Sequence, residues 1–240
     1  MNEMNDGEDA GEVKVRHPAP YSPTVLAAIE AALDDFTVGP VDLYDPFAGI
    51  GRIFDLELHM PRVKCWGTEI EQEWCVSGHP RHIHADAFEF MRHISNIGAF
   101  DVVATSPTYG NRMADHHNAQ DGSRRITYRH YLGRALHENN SGRMQWGKKY
   151  RDFHYAAWDA VFSVLKPGGL FMLNISDHYR AWSVAPVTAW HREQCEKLGF
   201  DLVSARKIQT PRMKFGDNRH RVGYEWLLVF EKPTDAAGDR

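Results

Sequence analysis

Cysteine is scarce in this 240-residue chain: Cys65, Cys75 and Cys195 are the only three. An odd number of thiols without paired spacing excludes a disulfide framework and fits a reduced, cytoplasmic setting. Histidine is not scarce, but His79, His82 and His84, like His116 and His117, lack a companion cysteine or carboxylate framework, so no metal site is expected. Long apolar runs are missing too. None approaches the roughly 20 residues that span a bilayer, which argues against a membrane protein. The start is acidic, with Glu3, Asp6, Glu8, Asp9 and Glu12 and no base among residues 1–12, and so lacks the basic-then-apolar order of a secretion signal. There is no excess of basic charge: the formal net charge is −4, and beyond residue 12 it is 27 acidic against 28 basic side chains. Such a balance neither supports nor excludes a nucleic-acid partner, because local patches decide that. Internal repeats are absent as well.

What is present is an alternation of strand-like and helix-like segments. Ser22-Pro-Thr before Val25–Leu33 predicts a helix with Ser22 as cap and Pro23 at its first position. Strands are predicted at Val41–Tyr44, Val63–Thr68, His82–His84, Phe100–Ala104 and Leu170–Asn174. Helices are expected around Ile53–Leu58, from Glu71 to Val76, over Ala87–Ile94, Tyr155–Leu165 and Ala185–Leu198, with Lys166-Pro-Gly-Gly169 as a turn. Phe200–Lys207 and Gly223–Phe230 complete the set as an antiparallel pair. This pattern predicts an α/β fold with a single doubly wound, seven-stranded, mostly parallel sheet and an antiparallel last strand. Residues 1–14 are expected to form a disordered acidic tail, 15–231 the domain, and the stretch from Lys232 to Arg240 a frayed end.

One stretch breaks the alternation. Residues 109–152 show little periodicity and hold nine Arg and Lys (Arg112, Arg124, Arg125, Arg129, Arg134, Arg143, Lys148, Lys149, Arg151) against four acids, interleaved with Tyr128, Tyr131, Trp146 and Tyr150. A loop that long in a compact domain is functional or disordered. A second basic stretch, Arg206 to Arg221, includes Arg212 and Lys214. Basic and aromatic side chains together suit phosphates and unstacked bases.

Two strand ends carry the chemistry. Asp45-Pro-Phe-Ala-Gly-Ile-Gly51 is a tight glycine turn after the first strand, and it lets backbone approach a small ligand. Phe54 stands where a dinucleotide fingerprint would have its third glycine, which weakens NAD or FAD as the ligand. Glu69, at the end of the second strand, is placed to accept hydrogen bonds from ribose hydroxyls. Asp86, after the third strand, is placed to take an adenine amino group. Ser106-Pro107-Thr108-Tyr109 follows the fourth strand.

With these motifs the chain resembles the class I S-adenosyl-L-methionine (SAM)-dependent methyltransferases, and more narrowly those that methylate the amino group of cytosine N4 or adenine N6 in DNA. The family's Asp-Pro-Phe-x-Gly-x-Gly motif matches Asp45, Phe47, Gly49 and Gly51. Its ribose-binding acid matches Glu69 and its adenine-contacting acid Asp86, while His17-Pro-Ala-Pro-Tyr21 resembles its methionine-end motif. The catalytic Asp/Asn/Ser-Pro-Pro-Tyr/Phe signature matches Ser106, Pro107 and Tyr109, with Thr108 in place of the second proline. The resemblance covers roughly residues 15–230 and implies a Rossmann-like methyltransferase fold and SAM as cofactor.

The chemistry suits those residue types. An exocyclic amine has a delocalised lone pair and is a poor nucleophile; hydrogen bonds from its N–H groups to Ser106 and the Pro107 carbonyl would shift it towards tetrahedral geometry, and stacking on Tyr109 would hold the ring. Positioning of this kind is worth up to ~7–11 kcal/mol. The expected partner is DNA, contacted by Arg112, Arg124, Arg125, Arg129, Lys148, Lys149, Arg212 and Lys214. A separate recognition domain is not evident, so a short target site, loose specificity or a partner subunit that reads sequence is expected, as in restriction-modification systems. Methylation of an RNA base amino group, and an inactive nucleic-acid-binding domain, are the alternatives.

Overall fold

The computed structural model describes residues 17, 19–95, 98–110, 127–180, 183–210 and 222–234. Helix α1 (Pro23–Phe36) opens as the sequence predicts: Ser22 Oγ accepts the backbone N–H of Val25 and proline occupies the first turn. Strand β1 (Val41–Asp45) leads into the glycine turn. A 3-10 turn (Arg52–Asp55) and the one-turn α2 (Leu56–His59) follow, shortened because Pro61 forbids continuation. Next come β2 (Val63–Glu69), β3 (His82–His84), α3 (Ala87–Ile94) and β4 (Phe100–Thr105). The helix expected from Glu71 does not form. That segment makes turns, because Gly78 and Pro80 close it within a few residues.

Between β4 and the next long helix lies the short α4 (Tyr128–Leu132). Helix α5 (Lys148–Val164) starts seven residues before the expected Tyr155. Its buried stripe of Tyr150, His154, Ala157, Trp158 and Val161 has helical spacing, but it begins with a phenol and an imidazole instead of aliphatic residues. Strand β5 (Leu165–Ile175) absorbs the Lys166–Gly169 turn. A small hairpin, β6 (His178–Arg180) and β7 (Ser183–Ala185), was not expected from the sequence. Helix α6 (Val187–Lys197), β8 (Asp201–Gln209) and β9 (Tyr224–Glu231) finish the fold.

The sheet order is β3-β2-β1-β4-β5-β9-β8. All pairs are parallel except β9, which runs antiparallel between β5 and β8. Strand residues alternate between two cores, as the two-residue repeat of a strand requires. Leu43, Val102, Met172 and Val229 pack with α1 and α2, whereas Tyr44, Val103, Phe171 and Phe230 pack with α3, α5 and α6. Strand order reverses between β1 and β4, so the carboxyl ends of these two strands flank the switch point at which such sheets bind ligands.

Lys232 departs from the expected frayed end. It is buried, and its Nζ donates to Phe162 O and Leu165 O, both at 2.8 Å, which satisfies carbonyls left open at the end of α5. Residues 1–16, and with them the whole of the expected acidic tail, lie outside the described residues. Among the described residues no helix is long and apolar enough to cross a membrane.

Candidate active site

Asp45 ends β1 with no solvent exposure. Tyr21 OH donates to its Oδ2 (3.0 Å), while Thr105 Oγ1 (2.7 Å) and the backbone N–H of Phe47 (2.9 Å) donate to Oδ1. Because Thr105 ends β4, this carboxylate ties the two strand ends together across the switch point. Burial pushes Asp45 up to about 6, against the pull of its three donors. Gly51 has φ +81°, and a Cβ there would stand 2.7 Å from Ser77 Cβ, so only glycine lets the turn pass.

Glu69 ends β2. Its Oε2 accepts the N–H of Gly49 (3.0 Å) and its Oε1 that of Glu71 (2.8 Å), which fixes the carboxylate plane relative to the glycine turn. Burial raises it to about 7, and the neighbouring Glu71 adds to the rise. Asp86 caps α3 through the Phe88 N–H (2.8 Å) and also accepts Asn139 Nδ2 (2.9 Å). His17 rests edge-on against Trp74, 4.5 Å between ring centres, and burial lowers it to about 4, which leaves the ring neutral.

Ser106–Tyr109 leaves the end of β4. Ser106 Oγ lies 3.1 Å from Tyr109 OH, and Tyr109 OH donates to Glu225 Oε2 (3.2 Å). Asn174 sits among them, its Nδ2 within 2.8–3.0 Å of Tyr109 OH, Glu225 Oε2 and Ser106 Oγ. The Asn174 Oδ1 is buried without a partner among the described residues. Thr108, where the resembled family has its second proline, is held by hydrogen bonds instead. Its Oγ1 donates to Ser141 Oγ (2.9 Å) and its carbonyl accepts Tyr150 OH (2.8 Å). Trp158 Nε1 donates to His191 Nδ1 (2.9 Å), which leaves the His191 proton on Nε2, 2.9 Å from Tyr150 OH. Burial drives His191 well below its ordinary range and so keeps this tautomer neutral.

The two strand ends face one cavity of about 460 Å³, within the size range of small-molecule sites. His17, Phe47, Gly49, Glu69 and Asp86 line one part of it, and Ser106, Pro107 and Tyr109 another. Asp45 and Gly51 lie behind the wall and shape the turn. Asn139, Asn140 and Ser141 contribute from the segment after α4. Arg129, Lys148 and Lys149 are exposed and line no part of the cavity, and Lys148 pairs with Asp152 at 2.6 Å. Arg112, Arg124, Arg125, Arg212 and Lys214 lie outside the described residues.

Sequence reasoning missed Asn174, Glu225, Phe88 and Phe153, all of which line the cavity. A signal existed for two of them: Asn174 is a lone amide in the apolar run Leu170–Ile175, and Glu225 is a lone acid before Trp226–Phe230.

No protein-family description matches the chain, and no curated protein does. Among solved structures it is similar to a protein described as a candidate class I S-adenosylmethionine-dependent methyltransferase from Listeria monocytogenes, with TM-score 0.53 and 12% identity over 92% of this chain. The chain spans 63% of that protein's length. A methyltransferase from Pyrococcus furiosus follows, with TM-score 0.45, 18% identity, and 91% and 87% of the two chains covered. A protein described as a candidate DNA modification methylase from Thermus thermophilus is 26% identical over 38% of this chain and 39% of its own, with TM-score 0.30. The Listeria likeness is one of fold. Together with the sheet order, it makes the fold Rossmann-like, of the class I methyltransferase type.

Proposed function

We propose that this chain is a SAM-dependent methyltransferase that acts on the exocyclic amino group of a DNA base, cytosine N4 or adenine N6. The observation that carries this reading is one cavity with two kinds of wall: a glycine turn beside a fixed carboxylate, and a serine-proline-tyrosine loop across the strand-order switch. The first wall fits the cofactor. Each Glu69 oxygen spends one lone pair on a backbone N–H and keeps another for a ribose hydroxyl. Phe88 and Phe153, 5.1 Å apart and edge to face, offer an aromatic side for the adenine next to Asp86. When bound, SAM supplies an electrophilic methyl on a sulfonium.

The chain's residues do the rest. Ser106 Oγ and the Pro107 carbonyl accept the amine N–H groups, and the Tyr109 ring braces the base. Acceptors fixed before the reaction bind the amine more strongly as positive charge grows on it, which favours the transition state. The hydrogen bonds on Thr108 give the loop the stiffness that a second proline would supply, and this supports an active enzyme over an inactive binding domain. A base in duplex DNA must be flipped out, at a cost of a few kcal/mol. Target recognition falls to residues 109–152 and 206–221, or to a partner subunit.

The test is incubation with labelled SAM and mixed DNA and RNA, followed by nucleoside mass analysis. N4-methylcytosine or N6-methyladenine in DNA is the expected product. Label found only in RNA transfers the reading to RNA, and tight SAM binding with no labelled base overturns it.

A further inference from the structure

The quartet at the substrate wall contains a directed chain of hydrogen bonds, and its direction follows from counting protons. Tyr109 has one hydroxyl proton, and it points to Glu225 Oε2. The bond between Ser106 and Tyr109 must therefore be donated by Ser106. Asn174 Nδ2 lies within 3.0 Å of all three oxygens, and its two protons serve two of them at a time. Ser106 Oγ then has an acceptor site left for a substrate N–H. The order is substrate nitrogen, Ser106, Tyr109, Glu225.

We propose that Ser106, Tyr109 and Glu225 form a proton relay that carries the proton shed by the methylated nitrogen to the Glu225 carboxylate. The proposal rests on the reading given under Proposed function. In the reaction, the nitrogen lone pair forms the new N–C bond, and the C–S bond breaks with its electron pair staying on sulfur. The nitrogen, now positively charged, gives one proton to Ser106 Oγ. Ser106 passes its own proton to Tyr109, and Tyr109 passes its proton to Glu225 Oε2, which becomes a neutral carboxylic acid. No group along the path ends with a charge it did not start with, except the final acceptor. Burial and the Glu225 charge hold the Tyr109 hydroxyl far above its usual range, so Tyr109 hands on one proton as it takes another and does not ionise. Because β9 runs antiparallel between β5 and β8, its first residues, Tyr224 and Glu225, are delivered to the rim where the parallel strands end.

Two variants test the relay. Glu225→Gln keeps the shape and removes the proton acceptor, whereas Tyr109→Phe keeps the ring and cuts the chain in the middle. Each is expected to lower the single-turnover methylation rate about 10²-fold, the low end for acid-base groups, with SAM affinity unchanged by calorimetry. Wild-type protein is expected to turn over more slowly in D2O, and to show a new carboxylic-acid carbonyl band in infrared difference spectra after one turnover; both variants lose these signatures. SAM binding serves as the control for folding. If Glu225→Gln keeps the wild-type rate, isotope effect and band while the wild-type enzyme methylates a base, the relay is wrong and the parent reading stands. If the wild-type protein methylates no base, both fail together.

Discussion

Three donors converge on Asp45 in a place water does not reach, so its deletion is costly in a way that surface acids are not. Asp45→Ala leaves Thr105 Oγ1 and the Phe47 N–H without partners and Tyr21 OH with only the Ala104 carbonyl at 3.4 Å, and a buried group left unpaired costs about 1–3 kcal/mol. Even with partial relaxation, urea unfolding should report a loss of about 3 kcal/mol or more. Glu69 gives a different signal, because the proposed cofactor pose adds donors to it. A raised acid favours the folded state while protonated. The stability that Glu69 and Asp45 contribute is therefore full below about pH 4, where carboxylates of the unfolded chain titrate, and is lost as pH climbs through about 6 for Asp45 and about 7 for Glu69. In the proposed role of Glu69, ribose hydroxyls favour its charged form, so binding expels a proton. SAM affinity should rise by up to ~tenfold per pH unit below the Glu69 value of about 7. Calorimetry in buffers of different ionisation enthalpy would register the released proton, and Glu69→Gln should flatten the profile.

Among the elements, the segment after α4 is held mainly by one acid. Buried Glu71 accepts the His137 N–H (2.7 Å) and Asn140 Nδ2 (2.9 Å), and Arg134 lies 2.9 Å from its other oxygen. Asn139 on Asp86 and Ser141 on Thr108 carry the same segment across both parts of the cavity. Glu71→Ala should raise amide exchange over residues 134–141 by at least about tenfold, the effect of losing roughly 1.4 kcal/mol of local stability, while α5 keeps its protection; exchange read by mass spectrometry decides. Behind the cavity, Tyr150 links α6 to the Thr108 carbonyl. Tyr150→Phe strands that carbonyl and the His191 Nε2–H, and should cost about 1–3 kcal/mol together with a slower methyl transfer at unchanged SAM affinity. These contacts also mark where sequence reading stops. The glycine turn, Glu69, Asp86 and Ser106–Tyr109 were legible because each is local: a strand ends, and a short motif follows it. Glu225 meets Tyr109 across 116 residues, and Arg134 reaches Glu71 from inside a stretch read as substrate-binding charge. No local period encodes such pairs. Only the topology, which returns β9 to the rim and folds the segment after α4 onto the β2 end, brings them together.

For the whole molecule the issue is how a chain of net charge −4 would hold a polyanion. Part of the basic stretch is already committed: Arg134 is neutralised by Glu71 and Glu73, and Lys148 is paired with Asp152. An exposed pair such as Lys148–Asp152 is worth under about 1 kcal/mol, so phosphate can outcompete it. Lys148 and Lys149 sit at the start of α5, beside the segment that borders the cavity, and both are exposed. Each phosphate neutralised on duplex DNA contributes about 0.9 to the slope of log affinity against log salt. Reversal of both charges in a Lys148→Glu, Lys149→Glu variant should weaken binding at low salt and make that slope shallower by up to ~1.8, with SAM affinity unchanged because neither residue lines the cavity. Fluorescence anisotropy across a salt series measures both quantities. An unchanged slope would place the DNA path elsewhere on the rim and leave these two lysines as solvated charges at a helix start, where the helix dipole disfavours them.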